Sequence, residues 1–408
     1  MVGKEFFTTL SVSEALAGFL PRRRTGIETV SREVALGRVP ATPVVSDAEL
    51  PGFARSTVDG YAVRAADTYG ASDGLPAYLD LVGAVRMGVA AGVAVRPATA
   101  VQIPTGAVIP TDADAVVMVE YTQATTPDVI EVTRAVAVGE GIVRADEDVA
   151  VGAQIAPAGR PLRAQDLGLL AAAGVIDVEV CARPRVAIIS TGDEVVSPST
   201  RWLSPGQVRD ATASALAALV SEAGGEPSMR GIVPDDVEAL TKTLESALQD
   251  CDLVVVSAGS SVGARDETTA AVESLGEPGI FCHGLAVKPG KPTLLAECSD
   301  VPVIGLPGNP LSALVVFRLV GLPVLRLVGG ITVPPTEPTT PATLSRAVPS
   351  AAGRLDVVQV QLRDGVATPL FGFSALLSLL TTADGYVVIP EAATGVDAGT
   401  AVTVTMYR

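Results

Sequence analysis

The chain has 408 residues, 48% apolar and 18% charged, a balance that allows large packed cores and excludes global disorder. Its formal net charge of −16 has the wrong sign for non-specific binding to nucleic acid or acidic membranes. Such a length divides into about two to four domains, and with 4% aromatic residues, 40 Gly and 30 Pro their cores must rest on Ala, Val and Leu between many turns.

The first ten residues lack the apolar core and cleavage signal of a secretory peptide. Cys181, Cys251, Cys282 and Cys298 show no paired metal-binding spacing, so they read as buried free thiols of a reducing compartment, and the expected location is the cytoplasm. Ser11 with Glu14 three residues on makes a capping box for a first short helix. The turn pairs Pro51-Gly52 and Asp59-Gly60 follow a Pro-rich segment, and Asp59 on composition alone reads as a turn aspartate. From 79 to 132, Val-rich runs alternate with Gly and Pro turns, which predicts a small β unit. Within it Thr105 has the one hydroxyl at the apex of the loop held by Pro104, Gly106 and Pro110. Residues 165–173 read as a helix with Asp166 in its first turn, ended by Gly174. Composition allows 1–45 and 138–180 to form one discontinuous domain, with 46–137 inserted into it.

The stretch 181–329 carries the strongest pattern. Apolar runs at 185–190, 253–256, 279–287 and 301–306 alternate with helical segments at 210–223, 235–248, 266–275 and 309–319, which predicts a mostly parallel sheet covered by helices. Thr191-Gly192-Asp193-Glu194, the loop from Ser257 to Asp266, Lys288-Pro289-Gly290-Lys291 and Pro307-Gly308-Asn309-Pro310 each follow the end of a predicted strand. In such sheets ligands bind outside those carboxyl ends. The chain has four lysines, and Lys288 and Lys291 share one of these loops. His283, the single histidine, adjoins Cys282 on a predicted strand, so the two point to opposite faces and make a poor metal pair. The apolar run 311–328 is interrupted by Arg318, Pro323 and Arg326, and reads as a buried helix with its exit turn rather than a membrane span. A Pro/Thr segment then leads into a C-terminal β domain at 330–408.

Taken in order, the motifs around Ser56-Thr57-Val58-Asp59-Gly60-Tyr61, Pro104-Thr105-Gly106, Ser190 to Glu194, Ser257 to Asp266, Lys288 to Pro292 and Gly305 to Pro310 resemble those of the molybdopterin molybdenumtransferases, the MoeA family, related to the E domain of gephyrin. The resemblance spans 8–404 and implies a multidomain α/β and β fold: a discontinuous N-terminal domain, an inserted β domain, a three-layer molybdopterin-binding α/β domain with a mostly parallel sheet, and a C-terminal β domain. It implies a homodimer with a site shared between subunits. The activity implied is insertion of molybdenum from molybdate into adenylylated molybdopterin, with Mg2+ as cofactor and AMP released. Transient contact with molybdopterin adenylyltransferase and with molybdoenzyme acceptors goes with it, and neither nucleic acid nor membrane is an implied partner.

By the resemblance Asp59, Glu194, Asp266, Lys288 and Lys291 carry the chemistry. Asp59 would reach the neighbouring subunit's cleft, and Glu194, Asp235, Asp236 and Asp266 would offer oxygen ligands to the cation. Thr105, Thr191, Gly192, Ser257, Gly259, Ser260, Ser261, Gly263, Pro307, Gly308 and Pro310 would bind the pterin substrate. The backbone N–H groups of the Gly-rich loop suit phosphate oxygens, and the two lysines suit their charge. Asp266 also has a competing role as a helix N-cap. The chain departs from the family at Ala258 and Ser260, and at Phe373-Ser374-Ala375 and Ala383-Asp384-Gly385. Alternatives to this reading are a binding scaffold without catalysis and insertion of tungsten; adenylylation of molybdopterin is disfavoured by the inserted and C-terminal units.

Overall fold

The computed structural model describes residues 9–257 and 262–407, and for 262–266 the backbone alone. Ile27–Ser31 pairs antiparallel with Asp177–Cys181, and Val44–Val45 with Gln154–Ala156, so segments far apart in sequence share one core around Ile155, Leu162, Leu170 and Val178. Helix Ala164–Ala172 in this unit is pinned by Asp166, which is buried. Arg160 Nη1 and Nη2 donate to its two carboxylate oxygens at 2.8 and 2.9 Å, and the Arg163 N–H adds a bond of 2.8 Å. Burial opposes the Asp166 charge, but these donors outweigh it and hold the carboxyl well below the usual range.

Between these flanks lies a six-stranded mixed sheet in the order Ala115–Met118, Gly60–Val63, Thr99–Ile103, Ala77–Ala84, Val129–Val132, Thr122–Thr126. Its faces carry two cores, one around Leu79, Val117 and Ile130 and the other around Val101, Ile103 and Val116. Gly60 is required by close approach: a methyl there would stand 1.9 Å from the Val117 carbonyl oxygen, a backbone atom that the sheet itself holds in place.

The α/β unit has the strand order Glu226–Val233, Arg185–Thr191, Leu253–Ser257, Val301–Leu306, Leu294–Cys298, Pro278–His283. The first four are parallel, and Leu294–Cys298 runs against both its neighbours. Successive residues serve opposite faces: Val186 and Ile188 join one core, Ala187 and Ile189 the other. The N-terminal helix Val12–Gly18, with its Ser11/Glu14 capping box, packs Val12 and Ala15 into the first of these cores. Asp210 and Asp236 cap helices Ala211–Glu222 and Val237–Asp250 by accepting the N–H of Ala213 and Ala239. The run expected as a helix with an exit turn is one continuous helical segment of 19 residues, Pro310–Val328, with a π-helical turn at Phe317–Gly321 just before Pro323. It is long and apolar enough to cross a membrane by composition, but 72% of it is buried inside the protein, where it fills the core.

One expected strand is divided between two units. The expected strand 279–287 ends at His283, and Val287–Lys288 instead pairs in parallel with Leu355 and Asp356 of the C-terminal unit. That unit closes on itself, because Leu355–Arg363 pairs with both Val366–Pro369 and Gly385–Ile389 while Thr339–Leu344 and Ala401–Met406 complete the ring.

Gly60→Ala should lower stability by about 1–3 kcal/mol or more, since the added methyl meets backbone rather than a side chain that can turn away. A reduced denaturant midpoint is the readout. Gly26→Ala, where nothing lies within 4 Å of the added methyl, should shift it by no more than about 0.5 kcal/mol.

Candidate functional site

The inserted unit brings together two residues that the sequence holds 46 positions apart. Asp59 Oδ1 accepts the backbone N–H of Thr105 at 2.7 Å and its hydroxyl at 2.9 Å. The backbone bond first, then the hydroxyl bond, holds the exposed Asp59 carboxyl below its ordinary value. Asp59 is thus more than a turn aspartate: its carboxylate is oriented on the loop that Thr105 heads.

A second group lies at the carboxyl ends of the parallel strands. Thr191 and Ser257 end the strands Arg185–Thr191 and Leu253–Ser257, and both are buried. Gly192 has φ +135, and a methyl there would come within 2.7 Å of Glu194 Oε2, so only glycine lets the Glu194 carboxylate fold back over the turn. Asp193 Oδ1 accepts the N–H of Asp235 at 3.3 Å. Burial first, then the charges of Asp193 and Glu194, push the Asp235 carboxyl upward, and its Oδ1 is buried without a hydrogen bond. Asp236 Oδ1 caps the helix that follows by accepting the Ala239 N–H. Asp193 and the buried Ser190–Asp210 hydrogen bond of 2.6 Å were not singled out in the sequence, although both lie in or beside the marked motifs.

These oxygens suit a hard divalent cation, and an orphaned buried carboxylate oxygen amid like charges is the environment such a cation relieves. The residues therefore fit Mg2+ in charge and donor type, although no three His, Cys, Asp or Glu groups converge as a ligand set among the described residues. Gly259, Ser260 and Ser261 lie outside the described residues, and for Gly263 and Asp266 the description ends with the backbone of helix Val262–Glu273.

The third group lines a cavity of about 770 Å³ between the α/β and C-terminal units, within the usual range of about 300–1,000 Å³ for small-molecule sites. Lys288, Lys291 and Pro307 reach it from the expected loops, and Arg354 from the C-terminal barrel, a cation the sequence reading missed. Asp356 is buried beside them: Arg354 Nε donates to it at 2.9 Å, and Lys288 Nζ lies 3.9 Å away. Gly290, at φ +127, presses so closely on the long apolar helix that a methyl would come within 2.3 Å of Val316 Cγ2. The Pro307 to Pro310 loop is tied across the same gap, since Asn309 Nδ2 donates to Ser374 Oγ at 2.9 Å and Pro310 opens the helix. Gly308, half-buried, lies between them. Three cations against one buried carboxylate leave the wall positive, the environment of an oxyanion. No residue of 46–137 lines this cavity, so one chain holds the Asp59–Thr105 pair and the lysines as separate groups.

Comparison with known proteins finds three matching regions. Residues 10–174 match the MoeA N-terminal region (domain I and II), 187–327 a probable molybdopterin binding domain, and 341–407 the MoeA C-terminal region (domain IV). The chain is 36% identical over 379 residues to molybdopterin molybdenumtransferase 2 of Mycobacterium tuberculosis, covering 91% of this chain and 93% of that one. It is 38% identical over 307 residues to the molybdopterin molybdenumtransferase of a Nostoc species, 74% of this chain and 70% of that. The crystal structure of the molybdopterin biosynthesis MoeA protein from Pyrococcus horikoshii superposes with a TM-score of 0.86 at 32% identity, over 98% of this chain and 100% of that one.

Asp235→Asn should raise the melting temperature when no divalent cation is added, because it removes a charge that burial and two carboxylates oppose. With a folded value above the unfolded one, the native state binds the extra proton, so stability falls as pH rises from the ordinary carboxylate range through the folded value. The Asn variant should lose that slope, and Mg2+ should stabilise it less than it stabilises the unsubstituted chain. Thermal scans across roughly pH 4 to 7 test both points, and a lowered melting temperature without cation would refute the assignment.

Proposed function

We propose that this chain, which belongs to the MoeA family, is a molybdopterin molybdenumtransferase that inserts molybdenum from molybdate into adenylylated molybdopterin and releases AMP. The observation that carries the reading is the cavity in which Lys288, Lys291 and Arg354 meet on either side of a joint between two units. A dianionic oxyanion and a phosphorylated ligand both call for such a wall in an otherwise acidic chain. The names of its relatives point to the same transfer.

On this reading Lys288, Lys291 and Arg354 bind the oxyanion and offset negative charge that develops as the bond to AMP breaks. Asp356 holds Arg354 through its Nε–H, which leaves the rest of the guanidinium for the ligand. Thr191, Gly192 and Ser257 shape the strand-end crevice for the phosphorylated part of the substrate. Glu194 and Asp235, with Asp266 as a further candidate, would hold Mg2+, which supplies positive charge to the phosphoryl oxygens when bound. Asp59, kept ionised and oriented by Thr105, completes the site from the other subunit of a cytoplasmic homodimer.

Purified chain given adenylylated molybdopterin, molybdate and Mg2+ should release AMP in a metal-dependent manner, and Glu194→Gln should slow that release by roughly 100-fold while pterin binding largely survives. Binding of the adenylylated pterin without any release of AMP would make the chain a scaffold instead, and faster release with tungstate than with molybdate would reassign the metal. The shared site has its own test. Asp59→Asn and Asp266→Asn chains should each be inactive yet fold, and mixing them should restore activity, because one cleft of the heterodimer carries neither change. Failure to complement, despite subunit exchange seen by native mass spectrometry, would overturn the sharing of the site.

A further inference from the structure

The lip of the cationic cavity is aromatic. Phe371 and Phe373 both line the cavity, yet they are 53% and 84% exposed. Isolated apolar residues are ordinary on a protein surface, but two exposed phenylalanines, two positions apart in the chain and lining the same cavity, are not. In a chain with eight phenylalanines this is a costly place for two of them. Their segment is also tied down. The N–H of Leu370 donates to the Gln359 carbonyl at 2.8 Å, the N–H of Leu311 to the Ser374 carbonyl at 3.2 Å, and Asn309 Nδ2 to Ser374 Oγ. Between the two rings, Gly372 comes so near Leu379 that a methyl would stand 2.7 Å from Leu379 Cδ1. The Arg346 guanidinium lies 5.2 Å from the centre of the Phe371 ring while donating to the Pro369 carbonyl, which anchors that ring from one side.

We propose that Phe371 and Phe373 are a stacking platform for a flat heteroaromatic ring of the substrate, whose anionic part is taken by Lys288, Lys291 and Arg354. The inference rests on the function proposed above and adds to it the recognition of the ring. A ligand with a planar end and an anionic end needs a wall that is aromatic at one place and cationic a short way along, and this cavity offers both. Stacking is tolerant of ring identity because every such ring has a π-face. The pterin and the adenine of adenylylated molybdopterin share that chemistry, and the experiment separates them.

The chain has a single tryptophan, Trp202, which allows a clean reporter. In a Trp202→Phe, Phe373→Trp chain, AMP and 6-hydroxymethylpterin are titrated separately, and tryptophan quenching by either one supports the platform and identifies the ring. In parallel, Phe373→Ala should raise KM for adenylylated molybdopterin on the order of tenfold, with kcat changed by no more than about twofold, and Phe373→Tyr should restore KM. Absence of quenching by both probes, with an unchanged KM in Phe373→Ala, would overturn the platform. So would a shift of Phe373→Ala to a smaller species in sedimentation velocity with KM unaltered, since the ring would then belong to a subunit interface. Calorimetry with molybdate alone provides the separate check on the parent reading. Binding that survives Phe373→Ala and is lost in Lys291→Ala supports the division of labour, whereas no molybdate binding to the unsubstituted chain would overturn the proposed function and the platform with it.

Discussion

The parallel pairing of Val287 with Leu355 and of Lys288 with Asp356 is the constraint on which the site depends. Two residues leave the α/β unit, add a short strand to the C-terminal barrel and return at Lys291, so a loop that follows the Pro278–His283 strand is fixed by another unit. Without that pairing the two lysines would stand on an ordinary surface turn. With it, Lys288 is aligned with Asp356, and Gly290 is forced against Val316 where no other residue fits. The Asn309–Ser374 bond repeats the tie one loop further on, so the cavity is held at two points along its length.

Charge is organised in the same way. The chain is acidic overall, yet the cavity wall is cationic because two of the four lysines and Arg354 meet there from separate parts of the sequence. The buried carboxylate of Asp356 offsets one of three positive charges and orients Arg354 through a hydrogen bond, with Lys288 Nζ 3.9 Å away on its other oxygen. The strand-end group shows the opposite arrangement. Asp193, Glu194 and Asp235 crowd negative charge where burial already disfavours it, a cost that a bound cation would offset.

How much of this was legible follows from where each signal lies. The central strands were readable because Leu253–Ser257 and Val301–Leu306 are continuous apolar runs bounded by turns, and every one of their residues is buried. Glu226–Val233 escaped because it is an edge strand with a single fully buried residue and contains Pro227 and Gly231. Leu294–Cys298 escaped because its five residues begin only three positions after Lys291 of the Lys-Pro-Gly-Lys turn and include Glu297. Among site residues, Glu194, Lys288 and Lys291 stand out by type and spacing. Arg354 and Asp356 acquire their meaning from a pairing across 68 positions, which no local pattern carries. The Asp59–Thr105 bond is of the same kind: each residue is marked by its own loop, and the contact is written in the antiparallel pairing of Gly60 with Ile103.

That last contact also fixes how the Asp59 carboxylate is presented. Asp59 receives two hydrogen bonds, both to Oδ1, and both favour the ionised form. An exposed turn aspartate needs neither bond to remain charged, since water solvates it well. Donors fixed on both the backbone and the side chain of Thr105 instead hold the carboxylate in one orientation before anything approaches, which lowers the ordering cost of meeting a partner. Gly60, immobile under the Val117 carbonyl, sets the strand from which Asp59 projects. The cationic cavity contains no residue of this unit, so an oriented negative group and a positive wall are presented by one chain without meeting in it. On the proposed reading a second copy reconciles the two, because each chain then supplies the group that the other chain's cavity lacks.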